Sequence, residues 1–519
     1  MKKAIYLIIA LIGLSAPSCS DSMLDFSPTD SGSGKELLKS ASTAITSVNG
    51  VYRSMWTAGW STTANTHQCF GIAAYNLALD CMADDLIMQS QGNGWFWGDH
   101  CYNVKSNYTS SAFRSYDVWY ANYKWIANVN YIIDAEPEMA GTEADVAYVA
   151  GQAYAIRALC YLNLATWFSR APYNSLTGAS RWNEPCVPVY TTGTSIDTGG
   201  QPRESLRTVY GRIDQDIDRA IELLEKARET TLAENNKSHI NLYVALGIKS
   251  RACLAEGDWD GAFKAAKRVI DEGGYAVGTK SDLTGGMNSL DKQNVMWGAG
   301  IQVADQAGGY AGFFTHMDNK EGAYAKSAPK LISKQLYNRI SATDIRHDWW
   351  DPSDKESPYV SKKFSFANVA SFLGDYIYMR VEEMYFTAAE AALRLDDLKS
   401  ARELMNTVMA ERDPGYSANN RSGTLLGATT TTWTGSFLEN ILTHRRIELW
   451  GEYGRLFDVR RLGQGIDRRT DDGFSEECIS MMNRRNVNIT KADTYDWVLT
   501  IPKAELDANP NINEEDQNP

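Results

Sequence analysis

The spacing of apolar residues along the chain predicts long amphipathic helices. One apolar stripe advances in steps of three and four residues through Val149, Ala153, Ile156, Cys160, Leu164 and Trp167. This period matches the 3.6-residue turn of an α-helix. Segments 205–229 and 241–256 follow the same pattern, whereas the alternation typical of strands is scarce. We therefore predict a mostly α-helical fold.

Two segments resemble each other, which indicates that some helices are arranged in pairs. LAEGDWDGAFKAAKRVI at 254–270 aligns with LRLDDLKSARELMNTVM at 393–409. The alignment matches Asp258 with Asp397 in a turn, and Ala262 with Ala401 on the following helix. Each copy is typical of a tetratricopeptide-like helical hairpin. Long irregular inserts around 57–122 and 273–374, rich in Gly and aromatic residues, are predicted to form a loop-rich lobe on this scaffold.

Composition narrows the function classes. The 519 residues carry a net charge of -13, which argues against nucleic acid as a partner. Fifteen Trp and 27 Tyr are many for one core and favour a surface that stacks flat ligands. Seven cysteines follow Cys19, an odd number that leaves at least one thiol unpaired. Only His67-x-Cys69 approaches zinc-ligand spacing, so we expect no zinc site and no cofactor. A calcium ion stays open because acidic residues are numerous, but no EF-hand-like spacing occurs.

The N-terminus is typical of a targeting segment. Lys2 and Lys3 precede an apolar run at 4–14, which is too short to cross a bilayer. Small residues then lead to Cys19, as in a bacterial lipoprotein signal. We predict a signal peptide at 1–18 and lipidation of Cys19, which would tether the chain to a membrane by its lipid alone. The alternative is an ordinary secretory signal that has a cysteine near the cleavage site.

An arginine-rich segment near the C-terminus, RRIELWGEYGRLFDVRRLG at 445–463, could bind a phosphate or could be an internal clamp. Its charges alternate in sign at helical spacing, and apolar residues lie between them. Arginine pairs well with carboxylates, and such pairs fix geometry beside an apolar face. We predict a structural clamp that joins the last helices to the hairpin carrying Arg380 and Glu383. Its members are Arg445, Glu448, Glu452, Arg455, Asp458 and Arg461.

These motifs, taken in order, resemble the RagB/SusD family of Bacteroidetes outer-membrane lipoproteins. MLDFSP at 23–28 is similar to the family's opening after the lipidated cysteine. AYAIRALCYLNLATWFSRAPY at 153–173 and YMRVEEMYFTAAEAALRL at 378–395 are similar to two of its helices. The arginine-rich segment is similar to its C-terminal signature, and the resemblance extends along the mature chain.

The resemblance implies a single domain at 19–519, built on four tetratricopeptide-like pairs, without catalysis. It implies a lipid-anchored protein on the outer face of the outer membrane. Such a protein captures oligosaccharides or polysaccharides and delivers them to a TonB-dependent transporter of the SusC type.

Sugar binding requires flat apolar faces together with amides and carboxylates for the hydroxyl groups. The segment DDLIMQSQGNGWFWGDH at 84–100 offers this mixture. Its three glycines predict an exposed, non-helical placement of the two tryptophans. The candidates here are Trp95, Trp97, Asn93 and Asp84. Further candidates are Tyr310 and Phe313, where the family often has binding aromatics, and Trp349, whose neighbours Asp344 and Arg346 are expected to pair structurally.

Two other function classes stay open. A glycan-degrading enzyme needs two carboxylates across a cleft. The acid pairs Asp84-Asp85, Glu382-Glu383, Asp396-Asp397 and Asp471-Asp472 are adjacent in sequence, and adjacent helical residues diverge by about 100°. No nucleophile elbow, HExxH or P-loop motif occurs in the sequence. The other alternative is a scaffold lipoprotein that binds proteins through its helical pairs.

We predict that Arg455→Ala lowers the yield of folded protein, because the substitution removes one member of the clamp. Yield of soluble monomer and a circular dichroism melt would measure this. A variant that folds normally and loses only glycan affinity would contradict the structural role.

Overall fold

The structure, a computed structural model, describes residues 34–57, 66–103, 113–195, 197–233, 237–303, 311–492 and 494–519. The predicted signal peptide, Cys19 and Tyr310 lie outside the described residues. Within them, the helices are α1 Gly34–Leu37, α2 Ala41–Ser54, α3 Ile72–Met82, α4 Trp97–His100, α5 Phe113–Ala135, α6 Glu143–Phe168, α7 Leu206–Lys226, α8 Leu242–Glu256, α9 Trp259–Glu272, α10 Lys280–Thr284, α11 Phe313–Met317, α12 Ala323–Ser327, α13 Lys334–Tyr337, α14 Val381–Arg394, α15 Leu398–Ala410, α16 Phe437–Glu448, α17 Arg455–Leu462, α18 Glu476–Arg484 and α19 Lys503–Ala508. The strands are β1 Leu86–Met88, β2 Val295–Ala299, β3 Lys330–Ile332, β4 Trp350–Asp351, β5 Val360–Ser361 and β6 Tyr376–Arg380.

This content confirms the mostly α-helical prediction, and the three helices expected from periodicity correspond to α6, α7 and α8. Each begins at a polar residue whose side chain accepts hydrogen bonds from the first turn: Thr142, Ser205 and Asn241. Such a cap contributes about 1 kcal/mol, because it satisfies a backbone N–H that has no partner inside the helix. No helix of the described residues is both long and apolar enough to cross a bilayer.

The two repeat copies form matching helical hairpins. In each, a residue with left-handed backbone ends the first helix: Gly257 (φ 76°) and Asp396 (φ 62°). The next residue, Asp258 or Asp397, caps the second helix by accepting a hydrogen bond of 3.0 Å from the backbone N–H three residues on. The acidic pair Asp396-Asp397 therefore serves the turn, as Asp often does.

The hairpins α8–α9 and α14–α15 stack on each other although the second insert separates them in sequence. Helix α9 packs against α14, and Ala262 shares a buried cluster with Ala391. Helices α5, α6, α7 and α8 continue the stack, each packing against the next. This arrangement is a stack of helical hairpins; its tetratricopeptide-like character and the expected total of four pairs stay predictions.

Two small antiparallel sheets connect the inserts to the scaffold. The first has the strand order β1-β3-β5-β4 and pairs Leu86 with Ile332, so it joins the first insert to the second. The second pairs β2 with β6, which leads directly into α14. No disulfide links the seven cysteines of the described residues, all of which are buried.

The first insert is less irregular than its composition predicted. It contains α3 and the start of α5, and ten of the eleven residues of α3 are buried. Because α3 is enclosed on almost every side, it lacks the polar stripe that would reveal it as a helix.

A buried cluster of charges, the Glu448 cluster, holds the C-terminal helices to the rest of the chain. Glu448 is fully buried at the end of α16. One carboxylate oxygen accepts hydrogen bonds from Arg380 (2.9 Å) and Arg412 (3.0 Å), and the other from Arg412 (2.9 Å) and Arg346 (3.1 Å). Arg380 also pairs with Glu452 at 2.7 Å. These cations come from the second insert, from β6 and from the end of α15, so one carboxylate connects three regions.

Charge in this cluster is balanced. Four carboxylates and four cations contact one another there: Asp344, Glu382, Glu448 and Glu452 with Arg346, Lys363, Arg380 and Arg412. Burial acts to raise the pKa of Glu448, but Arg412, Arg380 and Arg346 outweigh it and hold that pKa well below its ordinary value. The carboxylate therefore stays ionised.

The other predicted clamp residues form two further groups of buried ion pairs. Asp458 pairs with Arg445 (2.8 Å) and Arg461 (2.7 Å), and Arg461 continues to Glu390 of α14 (2.8 Å). Arg455 instead approaches the acid pair Asp84-Asp85 of the first insert. Four of the five arginines of this segment thus face protein carboxylates, and the fifth, Arg460, donates to the backbone carbonyl oxygens of Thr166 and Ser169.

We predict that Glu448→Gln lowers the free energy of unfolding by about 3–5 kcal/mol, because it leaves buried guanidinium groups without a compensating charge. Urea unfolding followed by circular dichroism would measure the loss. The matched control is Asp260→Asn, which breaks the exposed Lys264–Asp260 pair (2.6 Å) and should leave stability unchanged within error. Equal stability of the two variants would contradict a structural role for the Glu448 cluster.

Candidate functional site

Three aromatic rings from distant parts of the chain form a partly exposed surface, the Trp95 face. It consists of Trp95, His67 and Tyr324, each half-buried. The His67 ring stacks on Trp95 with centroids 4.9 Å apart and an interplanar angle of 24°. Tyr324 meets the edge of Trp95 at 6.0 Å, and its hydroxyl lies 2.6 Å from His67 Nδ1. The result is a broad apolar surface with polar atoms at its edge.

The loop that carries Trp95 is fixed at both ends. At its start, Asp84 and Asp85 pair with Arg446 at 3.0 and 2.5 Å, directly before β1. At its end, the Phe96 backbone N–H donates to Gln68 Oε1 at 2.7 Å, next to His67. Trp95 is therefore held between the C-terminal clamp and the segment that carries its ring partner.

Glycine is required where this loop passes the second insert. Gly92 has φ +50°, and a Cβ there would lie 2.6 Å from the Ser327 carbonyl oxygen. Only a residue without a side chain fits that approach. The contact brings Trp95 beside Tyr324, which lies three residues before Ser327.

A second aromatic layer supports the Trp95 face from below. His316 is fully buried, stacks on Phe70 (5.6 Å) and meets the edge of Phe96 (5.0 Å). Its Nε2–H donates to the His67 carbonyl oxygen at 2.6 Å. Burial, and secondarily the charge of Lys330, lower the pKa of His316 to about 3, so its ring is neutral at neutral pH. The layer is rigid and carries no charge on this ring.

The sequence predictions for this site are partly corrected. Asn93 is exposed, two residues from the half-buried Trp95, and their role as ligand contacts stays a prediction. Trp97, by contrast, is 3% exposed and begins helix α4. The prediction that the three glycines place Trp97 on the surface is wrong. Gly92 and Gly94 lie in the turn before Trp97, and residues 97–100 form a helical turn.

Three other candidates are also buried. Asp84 is 5% exposed, and its carboxylate forms ion pairs with Arg446 and Arg455. Phe313 packs against Phe314 and Phe364. Trp349 donates its indole N–H to the Leu283 carbonyl oxygen at 3.0 Å, and Lys363 lies over its ring. In this structure the two rings present no open face to a sugar, and the Asp84 carboxylate is already paired with arginines. Asp344 and Arg346 do pair, at 2.7 Å.

Two residues of the Trp95 face were missed by sequence reasoning. His67 was considered only for zinc, and the structure turns its ring to Trp95 and Tyr324. Tyr324 lies in GAYAKS, which has no distinctive pattern. Among the described residues no group of three or more His, Cys, Asp and Glu side chains could hold a metal ion.

The arrangement is suited to binding by stacking. The acid pairs Asp84-Asp85 and Glu382-Glu383 are buried among arginines, so they do not face a cleft. Flat rings with amides beside them accept the C–H face of a ligand and its hydroxyl groups. The fold is thus a mostly helical scaffold of stacked hairpins, and the site is a partly exposed cluster of aromatic rings.

Comparison with known proteins identifies the family. The sequence model of the SusD family matches residues 333–519, and that of a family described as "Starch-binding associating with outer membrane" matches residues 43–254. The chain belongs to the SusD/RagB family. No curated protein matches it at a significant level.

Solved structures show the same fold. A SusD-like carbohydrate binding protein from Bacteroides vulgatus is 25% identical, with a TM-score of 0.73 over 92% of this chain and 98% of that one. A SusD superfamily protein from Bacteroides thetaiotaomicron is 23% identical, with a TM-score of 0.73 over 92% and 100%. Surface glycan-binding protein A from Bacteroides thetaiotaomicron, in complex with laminarihexaose, is 16% identical, with a TM-score of 0.62 over 92% and 99%.

We predict that His316 makes stability depend on pH. The unfolded chain takes up a proton near pH 6.5, but the folded chain does so only near pH 3. The stabilisation is therefore complete above pH 6.5 and is lost as the pH falls towards 3. Between pH 7 and 5 the free energy of unfolding should fall on the order of 2 kcal/mol more for wild type than for His316→Gln. Urea unfolding at both pH values measures this, and equal losses would contradict it.

Proposed function

We propose that this protein binds oligosaccharides or polysaccharides at the Trp95 face without cleaving them. The observation that carries the proposal is the stack of Trp95 on His67, edged by Tyr324 and flanked by the exposed Asn93. A sugar ring has one face of C–H groups that suits an aromatic ring, and a rim of hydroxyl groups that suits amides.

The family comparison supports the same ligand class. One matching family is described as starch-binding, and the 25% identical structure is described as a carbohydrate binding protein. The acidic net charge of -13 also favours a sugar over an anionic polymer such as nucleic acid.

The position of the acids supports binding without hydrolysis. Glycoside hydrolysis requires two carboxyl groups on either side of the scissile bond. Members of the adjacent acid pairs considered from the sequence are engaged instead in ion pairs, in the α15 cap or, for Asp472, in hydrogen bonds from Gln335. We therefore propose that the protein captures glycans and does not degrade them.

The cellular setting is part of the proposal. Cleavage before Cys19 and lipidation of its thiol would anchor the chain to the outer membrane, with the Trp95 face towards the cell exterior. The protein would then pass captured glycans to a TonB-dependent, SusC-like transporter. The signal-like N-terminus and the description "associating with outer membrane" support this assignment.

We predict that Trp95→Ala weakens glycan binding at least tenfold, equivalent to about 1.4 kcal/mol, because it removes the largest ring of the face. Isothermal titration calorimetry would be run with malto-, laminari-, cello-, xylo- and mannohexaose. The matched control is Trp182→Ala, at another half-buried tryptophan that packs on Tyr210 and should leave affinity unchanged.

Three outcomes would contradict the proposal. Reducing ends that accumulate over time would show an enzyme. Binding to none of the glycans, with stable co-purification of another protein, would show a scaffold. Equal affinities of wild type and Trp95→Ala would place the ligand elsewhere.

A further inference from the structure

A cavity of about 550 Å³ lies on the outer side of α5, and we call it the tyrosine groove. Its walls are α5, the loop at 190–198 and the start of α19. The volume falls within the range of small-molecule sites in proteins. None of the candidate residues for glycan binding discussed above lines it.

Parallel aromatic rings form one wall of the groove. Tyr116 and Tyr120, four residues apart on α5, stack with centroids 5.7 Å apart and an interplanar angle of 9°. Tyr123 continues the wall and meets the edge of Tyr190 across the groove at 5.9 Å. All four rings are half-buried, so each has part of its surface open to solvent.

The tyrosines at the Tyr190 end use their hydroxyl groups for structure. The Tyr123 hydroxyl donates to the Pro188 carbonyl oxygen at 2.7 Å, and the Tyr190 hydroxyl accepts from the Gln201 backbone N–H at 3.0 Å. Because these hydroxyl groups are engaged, the rings are held in position and offer their faces and edges to a ligand.

Polar groups of both charges lie among these rings. Glu505 is positioned by two donors, the Trp119 indole N–H at 3.2 Å and the Asn509 side-chain amide at 2.8 Å. Lys124 lies 5.6 Å from the centre of the Tyr120 ring. Hydroxyl groups are supplied by Thr194, Ser195 and Thr198. Among the described lining residues, one carboxylate and one ammonium group balance each other, which favours a neutral ligand.

We propose that the tyrosine groove is a second carbohydrate site that binds neutral glycans. Stacked rings, hydroxyl groups and a positioned carboxylate are the groups that a neutral sugar chain uses, through its C–H faces and its hydroxyls. A docked amphipathic helix would instead need an aliphatic groove, and among the described residues that line this one the single branched aliphatic side chain, Ile126, is 1% exposed. The inference rests on the proposed glycan-binding function and adds a second contact for the same ligand class.

The groove is connected to the Trp95 face through α5. Arg114, two residues before Tyr116, pairs with Asp99 at 2.9 Å and lies over the Phe96 ring. Residues two apart on a helix point about 200° apart, so Arg114 faces the Trp95 loop while Tyr116 faces the groove. The lining residues of α5, from Tyr116 to Ala127, extend about 16 Å along the helix axis. Under this proposal, the protein has two separate surfaces that a long polysaccharide could contact.

The test compares short and long glycans on three variants. Tyr116→Ala/Tyr120→Ala removes the ring wall, Trp95→Ala removes the first face, and the triple variant removes both. Calorimetry uses the hexasaccharide that wild type binds, and affinity electrophoresis uses the polysaccharide of the same linkage. Tyr120→Phe, which keeps the ring, and Tyr243→Ala, a half-buried tyrosine on α8, are the controls.

In affinity electrophoresis, we expect the polysaccharide to retard the double variant at least threefold less than wild type. The two control variants should be retarded as wild type is. We also expect Trp95→Ala to retain weak binding that the triple variant loses. Thermal melts confirm that each variant is folded. If the melting temperature of the double alanine variant is more than a few degrees below that of wild type, the variant is replaced by Tyr116→Leu/Tyr120→Leu, which keeps the apolar volume.

The outcomes separate this inference from the proposed function. If the double variant binds every glycan as wild type does while Trp95→Ala does not, the groove is not a sugar site and the Trp95 face stands. If wild type binds no glycan, both proposals are overturned. If the double variant keeps glycan binding and loses a co-purifying protein, the groove is a protein contact and the inference is overturned.

Discussion

The fold depends on one buried carboxylate, Glu448, and the guanidinium groups around it. An uncompensated charge in this position would cost several kcal/mol, so the surrounding cations have to be placed correctly before the C-terminal helices can pack. Those cations come from the second insert, from β6 and from the end of α15. The cluster therefore couples the packing of these three regions to one another. Its main contribution is geometric, because well-packed apolar residues could supply comparable stability.

The same constraint reaches the candidate site through the neighbouring ion pairs. Arg446 and Arg455 hold Asp84 and Asp85, and the chain continues from these acids through β1 into the loop that carries Trp95. An irregular, glycine-rich loop thus has a rigid base. Arginine-rich segments near a ligand face are easily taken for part of the binding site. Here the charges act behind the surface, and the proposed ligand contacts are neutral rings.

The sequence was informative where a single element carries the signal. Helix periodicity placed α6, α7 and α8, and the repeated Asp258 and Asp397 located two equivalent turns. Periodicity failed for α3, because a helix enclosed on almost all sides has no polar stripe. The Trp95 face could be predicted only in part. Trp95 and Asn93 stand out in their loop, but His67 and Tyr324 come from other segments and meet Trp95 only in the folded chain.

The local sequence also did not predict which of the two tryptophans, Trp95 or Trp97, is buried. Trp97 and Trp95 have nearly identical sequence surroundings, yet one is 3% exposed and the other is half-buried. The difference arises from the left-handed backbone of Phe96 (φ 61°), which reverses the direction of the chain between the two tryptophans. The tyrosines of α5 were unremarked for a similar reason, since the loop and the terminal helix that complete the groove are distant in sequence.

The central claim is that charged residues build the scaffold while neutral aromatic loops bind the glycan. Hydrogen–deuterium exchange with and without a bound hexasaccharide tests it most directly. Exchange should slow on binding at 66–68, 89–98 and 321–327 and should not change at 437–462. Protection confined to 437–462, with none at the aromatic loops, would contradict it.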